Sequence, residues 1–317
     1  MRLLLFILLL VALQTALMDV HLPQDVQLLN TYLEERRDLV ILGNSTSLPV
    51  PDDEDLTTLG EHLQTFLPGR RVGELVRPGT NPLLADAYAD YLARISPESS
   101  GRPLIVIPVN LYAFSPYWDR MPSRQFLWLR YPLHFHGTWR WPFYAPALAF
   151  EYLNMNPISY ADAMASPVRE ADSVVGTLSE ILNRQKDPAT TDPARVQVAL
   201  YFMERITKEH RQLQAIVSTA RRLNTAGYPH LFYIPPGNVD SGAAHAGPIL
   251  RSRVRENAAL VRAELEREGS RVLDLSSLLG ADSFSAKVAI GEHCYSAGRR
   301  IVASRIADAV EADGFEK

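Results

Sequence analysis

Along the chain, apolar positions alternate between helical spacing and short unbroken runs. Val26, Leu29, Tyr32 and Leu33 fall at helical intervals within residues 22–37, and the run Leu39-Val40-Ile41-Leu42 then reads as a buried strand closed by Gly43. A helical stretch at 56–67 leads to a second strand at 71–76 and to the breaker group Arg77-Pro78-Gly79-Thr80-Asn81-Pro82. The third unit is an amphipathic segment at 83–95, a polar loop at 96–103 and a strongly strand-like run at 104–109. In the second half, helices at 194–224, 251–268 and 297–310 alternate with strands at 231–234 and 271–275. Strands apolar on both faces that alternate with helices predict an α/β fold, a parallel sheet covered on both sides.

The rhythm breaks between about 115 and 193, a stretch rich in proline and aromatics that holds Trp118, Trp128, Trp139 and Trp141. It is expected to be an insertion. Its aromatic faces suit a sugar-stacking wall, an acyl-chain channel, or plain core and lid packing. His134 and His136 have no third ligand nearby and read as lid residues, so no metal is expected.

Composition narrows the options. With 317 residues, 47% hydrophobic and 21% charged, the chain can bury a full core. A net charge of −4 gives no electrostatic reason to expect nucleic acid as a partner. The single Cys294 rules out an intramolecular disulfide. No Gly-rich phosphate loop follows any predicted strand, so a nucleotide cofactor is not expected. At the N-terminus, Met1-Arg2 precedes an unbroken apolar run at 3–13, the pattern of an export signal. Residues 1–20 are therefore expected to be a signal peptide or a membrane anchor. The run is shorter than the roughly 20 apolar residues of a spanning helix, and no small-x-small cleavage site follows it, so both alternatives stand.

Ser45 stands just beyond the first predicted strand, where open parallel sheets bind ligands. A serine needs a base to become a nucleophile, and a loop that ends a strand offers backbone N–H groups for an oxyanion. His293 lies in the loop before the last helix and can supply that base if the two ends of the chain pack together. Taken singly, Gly43-Asn44-Ser45 is an ordinary turn triplet and His293 an ordinary surface histidine.

Taken together, Gly43-Asn44-Ser45, Gly79, Asn110 and the spacing from His293 to Gly298 resemble, in order, the motifs of the SGNH/GDSL hydrolase superfamily. The resemblance spans nearly all of residues 21–317. It implies a three-layer, flavodoxin-like sandwich with Ser45 as nucleophile and His293 as base. Ser45, Gly79 and Asn110 would then form the oxyanion hole. The chain departs from the pattern where Asn44 replaces an aspartate, and where Pro108 and Leu111 flank Asn110. It departs again where Ile290 occupies the usual place of the triad aspartate. Glu292 and Asp282 are the substitute acids at hand, and Glu292 is taken as the candidate. Residues 110–119 resemble envelope-associated members, in which the strand end at 234–238 would be a substrate-side loop, with Asn238 a substrate-binding candidate or a turn residue.

The resemblance implies an exported, periplasmic or membrane-anchored esterase or O-acyltransferase. Its partners would be an acylated carbohydrate or lipid and, through the N-terminus, the membrane. The competing expectation is a catalytically degenerate glycan-binding or assembly module of the same fold.

Overall fold

Among the described residues the chain opens with α1 (Gln24–Glu34), β1 (Leu39–Gly43), α2 (Leu59–Phe66), β2 (Val72–Val76), α3 (Pro82–Ile95), β3 (Leu104–Pro108) and α4 (Pro116–Arg120). They are followed by α5 (Leu127–Phe135), α6 (Tyr144–Asn154), α7 (Tyr160–Met164), β4 (Pro167–Glu170) and β5 (Ser173–Thr177). The chain then continues through α8 (Arg211–Thr225), β6 (His230–Ile234), α9 (Val239–Ala246), α10 (Ile249–Arg267), β7 (Arg271–Asp274) and α11 (Ser296–Ala312). This computed structural model describes residues 23–95, 101–121, 126–136, 138, 144–170, 173–180, 200–285 and 291–312, with isolated positions at 5, 8, 9 and 12.

Five strands form one sheet in the order β2-β1-β3-β6-β7, every neighbouring pair parallel. Counted in chain order within the sheet this is the 2-1-3-4-5 order of flavodoxin-like folds, whose ligand crevice opens where β1 and β3 diverge. The expected three-layer α/β architecture is thus observed.

Side chains of successive strand residues point to opposite faces, and the core divides accordingly. Val40, Leu42, Ile105, Ile107, Phe232 and Ile234 join one buried cluster with residues of α1, α3, α8 and α10. Leu39, Ile41, Leu104, Val106, Leu231 and Tyr233 join the other, with α2 and α11. Full burial of each such side chain contributes about 1.5–3 kcal/mol. That is why these runs are continuously apolar rather than alternating.

Two boundaries differ from expectation. The helix predicted from 56 begins at Leu59, because Thr58 and Glu61 form a reciprocal capping box there. The long helix expected at 194–224 is interrupted, and α8 starts only at Arg211. Asn257 of α10 accepts from Ile206 N at 2.9 Å and donates to Glu204 O at 2.8 Å, drawing that backbone out of helical pairing.

The segment beyond residue 115 adds α4 to α7 and the β4–β5 hairpin, with α5 against α3 and α6. Trp118 packs edge-on against Tyr112 and Tyr201, whereas Trp128 is 51% exposed beside the Arg77 guanidinium. Trp139 and Trp141 lie outside the described residues, as does nearly all of the apolar N-terminal run. No helix among the described residues is long and apolar enough to cross a membrane.

Candidate active site

The serine comes first in the chain. Beyond Gly43 the backbone leaves the strand at Asn44, whose side-chain oxygen accepts from Thr46 N at 2.9 Å and from Thr46 Oγ1 at 2.8 Å. This asparagine cap starts a single 3₁₀ turn, Ser45–Ser47. Ser45 is left half-buried at the C-terminal end of β1, at the crevice between β1 and β3.

The histidine arrives from the other end of the chain. The segment between β7 and α11 folds on itself as Phe284 pairs with Cys294, Ser285 N donates to His293 O at 3.2 Å, and Tyr295 N donates to Ser283 O at 2.9 Å. His293 Nε2 then lies 3.1 Å from Ser45 Oγ, within hydrogen-bond reach across 248 residues of sequence. Burial lowers the His293 pKa from its ordinary value, so the ring is neutral at pH 7 and able to accept a proton. Gly298 lets α11 approach this loop: a Cβ there would sit 2.9 Å from Cys294 Cβ and 3.0 Å from Leu279 Cδ1.

The expected acid does not meet the histidine. Glu292 is 2% exposed, and its carboxylate accepts from Asn110 Nδ2 through Oε2 and from Leu111 N at 3.0 Å through Oε1. Alternate side-chain directions of neighbouring loop residues explain the correction: His293 turns toward β1 and Glu292 toward β3. Asp282 is exposed on the turn Ala281–Ser283 and makes no hydrogen bond to His293. Among the described residues no side chain bonds His293 Nδ1, and Ile290 lies outside them.

Asn110, 2% exposed at the end of β3, accepts from Asn44 Nδ2 and donates to Glu292. Among the described residues, one of the two Nδ2 hydrogens of Asn110 has no partner. Gly79 is buried in the turn after β2 with φ 80°, a conformation that favours glycine. Arg77 N donates to Gly43 O at 3.2 Å, which brings that turn alongside the end of β1. Ser45, His293, Asn110 and Gly79 therefore all belong to one end of the sheet. Asn238 sits there too, yet its side chain caps α9 by accepting from Ser241 N at 3.2 Å, and its N–H holds Gly291 O at 3.0 Å. The structure uses it to anchor the histidine loop.

Sequence reasoning missed what clamps that loop. Asp52 accepts from Ser285 Oγ at 2.6 Å and Tyr295 Oη at 2.9 Å, and Asp53 accepts from Ser296 N at 2.5 Å. Arg299, 1% exposed, donates to Asp53 at 3.0 Å and to the carbonyls of Thr57, Cys294 and Asp55 at 2.7–3.1 Å. Ser296 Oγ lies between Asp55 at 2.5 Å and His62 Nε2 at 2.8 Å. The available signal was the acidic run at 52–55, whose partners on the histidine loop and last helix lie more than 230 residues away.

His134 Nδ1 is 2.9 Å from Asp90, which also receives Arg94 and Arg222. No group of three metal-ligating side chains occurs among the described residues.

No protein-family model and no curated protein matches the chain. Solved structures that resemble it at low similarity include three esterases. Est24, a carbohydrate acetylesterase from Sinorhizobium meliloti, has 14% identity and a TM-score of 0.39 over 87% of this chain and 99% of its own. An aryl esterase from M. smegmatis has 13% identity and a TM-score of 0.39 over 86% and 98%. A carbohydrate acetylesterase family member from Sinorhizobium meliloti has 12% identity and a TM-score of 0.38 over 87% and 98%. At this distance the functional reading rests on the side chains themselves.

Proposed function

We propose that the chain is an exported serine esterase or O-acyltransferase that works through an acyl-serine intermediate. The observation that carries this reading is the Ser45 Oγ to His293 Nε2 distance of 3.1 Å at the carboxyl end of a parallel sheet. Ser45 Oγ attacks the acyl carbonyl carbon while its proton passes to His293 Nε2. The tetrahedral intermediate collapses, and the departing alkoxide takes that proton. Water or a sugar or lipid hydroxyl then gives its proton to His293 and attacks the acyl-serine, and Ser45 recovers the proton as the acyl group leaves.

The Ser45 and Gly79 N–H groups and the free N–H of Asn110 are the donors assigned to the oxyanion. One such donor is worth about 3 kcal/mol, or 10²–10³ in kcat. The active unit is a dyad: burial keeps the resting histidine neutral, and among the described residues no carboxylate meets its other ring nitrogen to stabilise the imidazolium. An envelope glycan or lipid ester is the proposed substrate class. It is supported by the apolar N-terminal run and by Trp128, exposed as an aromatic face beside Arg77, two residues before Gly79. Attachment to a membrane through that run, and an insertion at about 115–193 within one domain, belong to the same proposal.

Wild type is expected to hydrolyse p-nitrophenyl acetate and to be labelled by a fluorophosphonate probe at Ser45, and Ser45→Ala to lose both. Folded wild type that neither turns over nor labels would sink the mechanism. A second reading, a glycan-binding or assembly module that keeps the fold, is favoured by the lack of a described partner for His293 Nδ1. It predicts glycan binding unchanged in Ser45→Ala, with no turnover in either protein.

A further inference from the structure

Asn44, Asn110 and Glu292 form a chain of side chains whose hydrogen-bond direction is fixed at both ends. The Thr46 backbone N–H can only donate, so the oxygen of the Asn44 amide faces it at 2.9 Å and its NH₂ faces Asn110 Oδ1. Asn110 must then present its own NH₂ to Glu292 Oε2. At the far end Leu111 N, again only a donor, meets Glu292 Oε1 at 3.0 Å, and the Tyr112 N–H adds a third bond. Glu292 is thus called on to accept on both oxygens, which the ionised carboxylate does more strongly than the protonated acid.

We infer that Glu292 is a positioning residue of the oxyanion hole: its carboxylate grips one N–H of Asn110 and so holds the other for the substrate oxyanion. This rests on the serine-esterase reading and gives Glu292 a task distinct from a triad acid. It also explains why the residue beside Asn110 can be Leu111, since what the network takes from that position is a backbone N–H.

The grip depends on pH. Burial pushes Glu292 up to about 8 against the opposing pull of its donors, Asn110 first and then the Leu111 and Tyr112 amides. Below that pH one oxygen carries a proton, the neutral acid accepts more weakly than the carboxylate, and the hold on Asn110 loosens. Above it the carboxylate forms and the hold tightens. Other ionisable groups around it are His293 and Cys294 on its own loop, Tyr233 on β6 and Arg299 on α11. Burial lifts the Cys294 thiol to about 11 and raises Tyr233 as well, so neither ionises near pH 8. Arg299 is engaged by Asp53 and three carbonyls. Toward α10 the surroundings are apolar: Phe202, Leu250 and Val254.

The test is steady-state turnover of p-nitrophenyl acetate from pH 5 to 9.5 by the full chain as wild type, Glu292→Gln, Asn110→Ala and the double variant. In wild type, kcat is expected to rise twice, once with His293 and again near pH 8. Glu292→Gln should lack the second rise and lose about 10- to 100-fold in kcat at the alkaline end, with KM within about twofold. In an Asn110→Ala background it should cost no more than about twofold, because residues that act through one another are not additive. An unchanged profile in Glu292→Gln, or an equal loss in the Asn110→Ala background, overturns the inference and leaves the serine reading standing if Ser45 still labels. Folded wild type without labelling at Ser45 overturns both. If Glu292→Gln does not fold, the remaining profiles decide: a rise near pH 8 in wild type and none in Asn110→Ala supports the inference, and identical profiles overturn it.

Discussion

Replacing Arg299 with methionine would remove the side chain that ties the histidine loop to the loop beyond Ser45, with little change in volume. Arg299 is 1% exposed and its Asp53 partner 9%, so this is a buried ion pair rather than a surface one. Breaking such a pair from one side typically costs 3–5 kcal/mol, because the remaining charge stays buried without its counterion. Asp53 would keep the Ser296 N–H, while the carbonyls of Thr57, Cys294 and Asp55 would each lose a donor. We expect a total near the upper end of that range, a large part of the roughly 5–15 kcal/mol that stabilises a folded protein. At about 2 °C per kcal/mol for a large domain, the midpoint of thermal unfolding should fall by about 8–10 °C. Urea unfolding followed by circular dichroism gives the free energy directly. Arg305→Met, which removes an exposed pair with Asp308, is the control and should change stability by less than about 0.5 kcal/mol. Because Arg299 holds the Cys294 carbonyl, turnover should also fall at temperatures where the variant is fully folded. Stability of Arg299→Met within about 1 kcal/mol of wild type would refute the clamp.

Three further outcomes follow from the same geometry. His293 is lowered by burial, so the rise of kcat/KM with pH should have its first midpoint below the ordinary histidine value of 6.5, measurable with p-nitrophenyl acetate against a buffer series. Gly298→Ala removes a poor helix former, yet the new Cβ would press on Cys294 and Leu279; we expect a net loss of about 1–3 kcal/mol in urea unfolding and a lower kcat, where an ordinary helix site would gain stability. Cys294 is 4% exposed with its thiol pushed up to about 11, so a thiol reagent at pH 8 should leave it unmodified in the native protein and modify it after denaturation, and rapid native modification would contradict the packing of the loop.

Much of the fold was legible because its signals are local. The runs at 39–42, 104–108 and 231–234 are apolar on both faces since both faces are covered, and amphipathic helices separate them. That alternation is enough to predict a parallel sheet. The turn at Asn44 is local in the same sense, since its cap on Thr46 needs only two residues of separation. The interruption at 203–210 was not legible, because its cause is Asn257, some 50 residues further on.

Within the candidate site, the resemblance of the motifs and their order to the SGNH/GDSL pattern was enough to nominate Ser45, His293, Gly79 and Asn110. Which partner each would face was not. Glu292 adjoins His293 in sequence and was the natural acid to name, but consecutive side chains on an extended loop diverge. One reaches β1 and the other β3. Asn238, a substrate-side candidate or a turn residue by sequence, uses its side-chain oxygen as a helix cap. The acidic run at 52–55 carried no recognisable meaning until the chain brought Ser285, Tyr295, Ser296 and Arg299 against it. The sequence by itself determined the elements, their alternation and the set of reactive groups, since these depend on interactions within a few residues. Only the tertiary structure decided the pairing of those groups, because hydrogen bonds and buried charges are set by distances of a few ångströms between segments that sequence separation does not constrain.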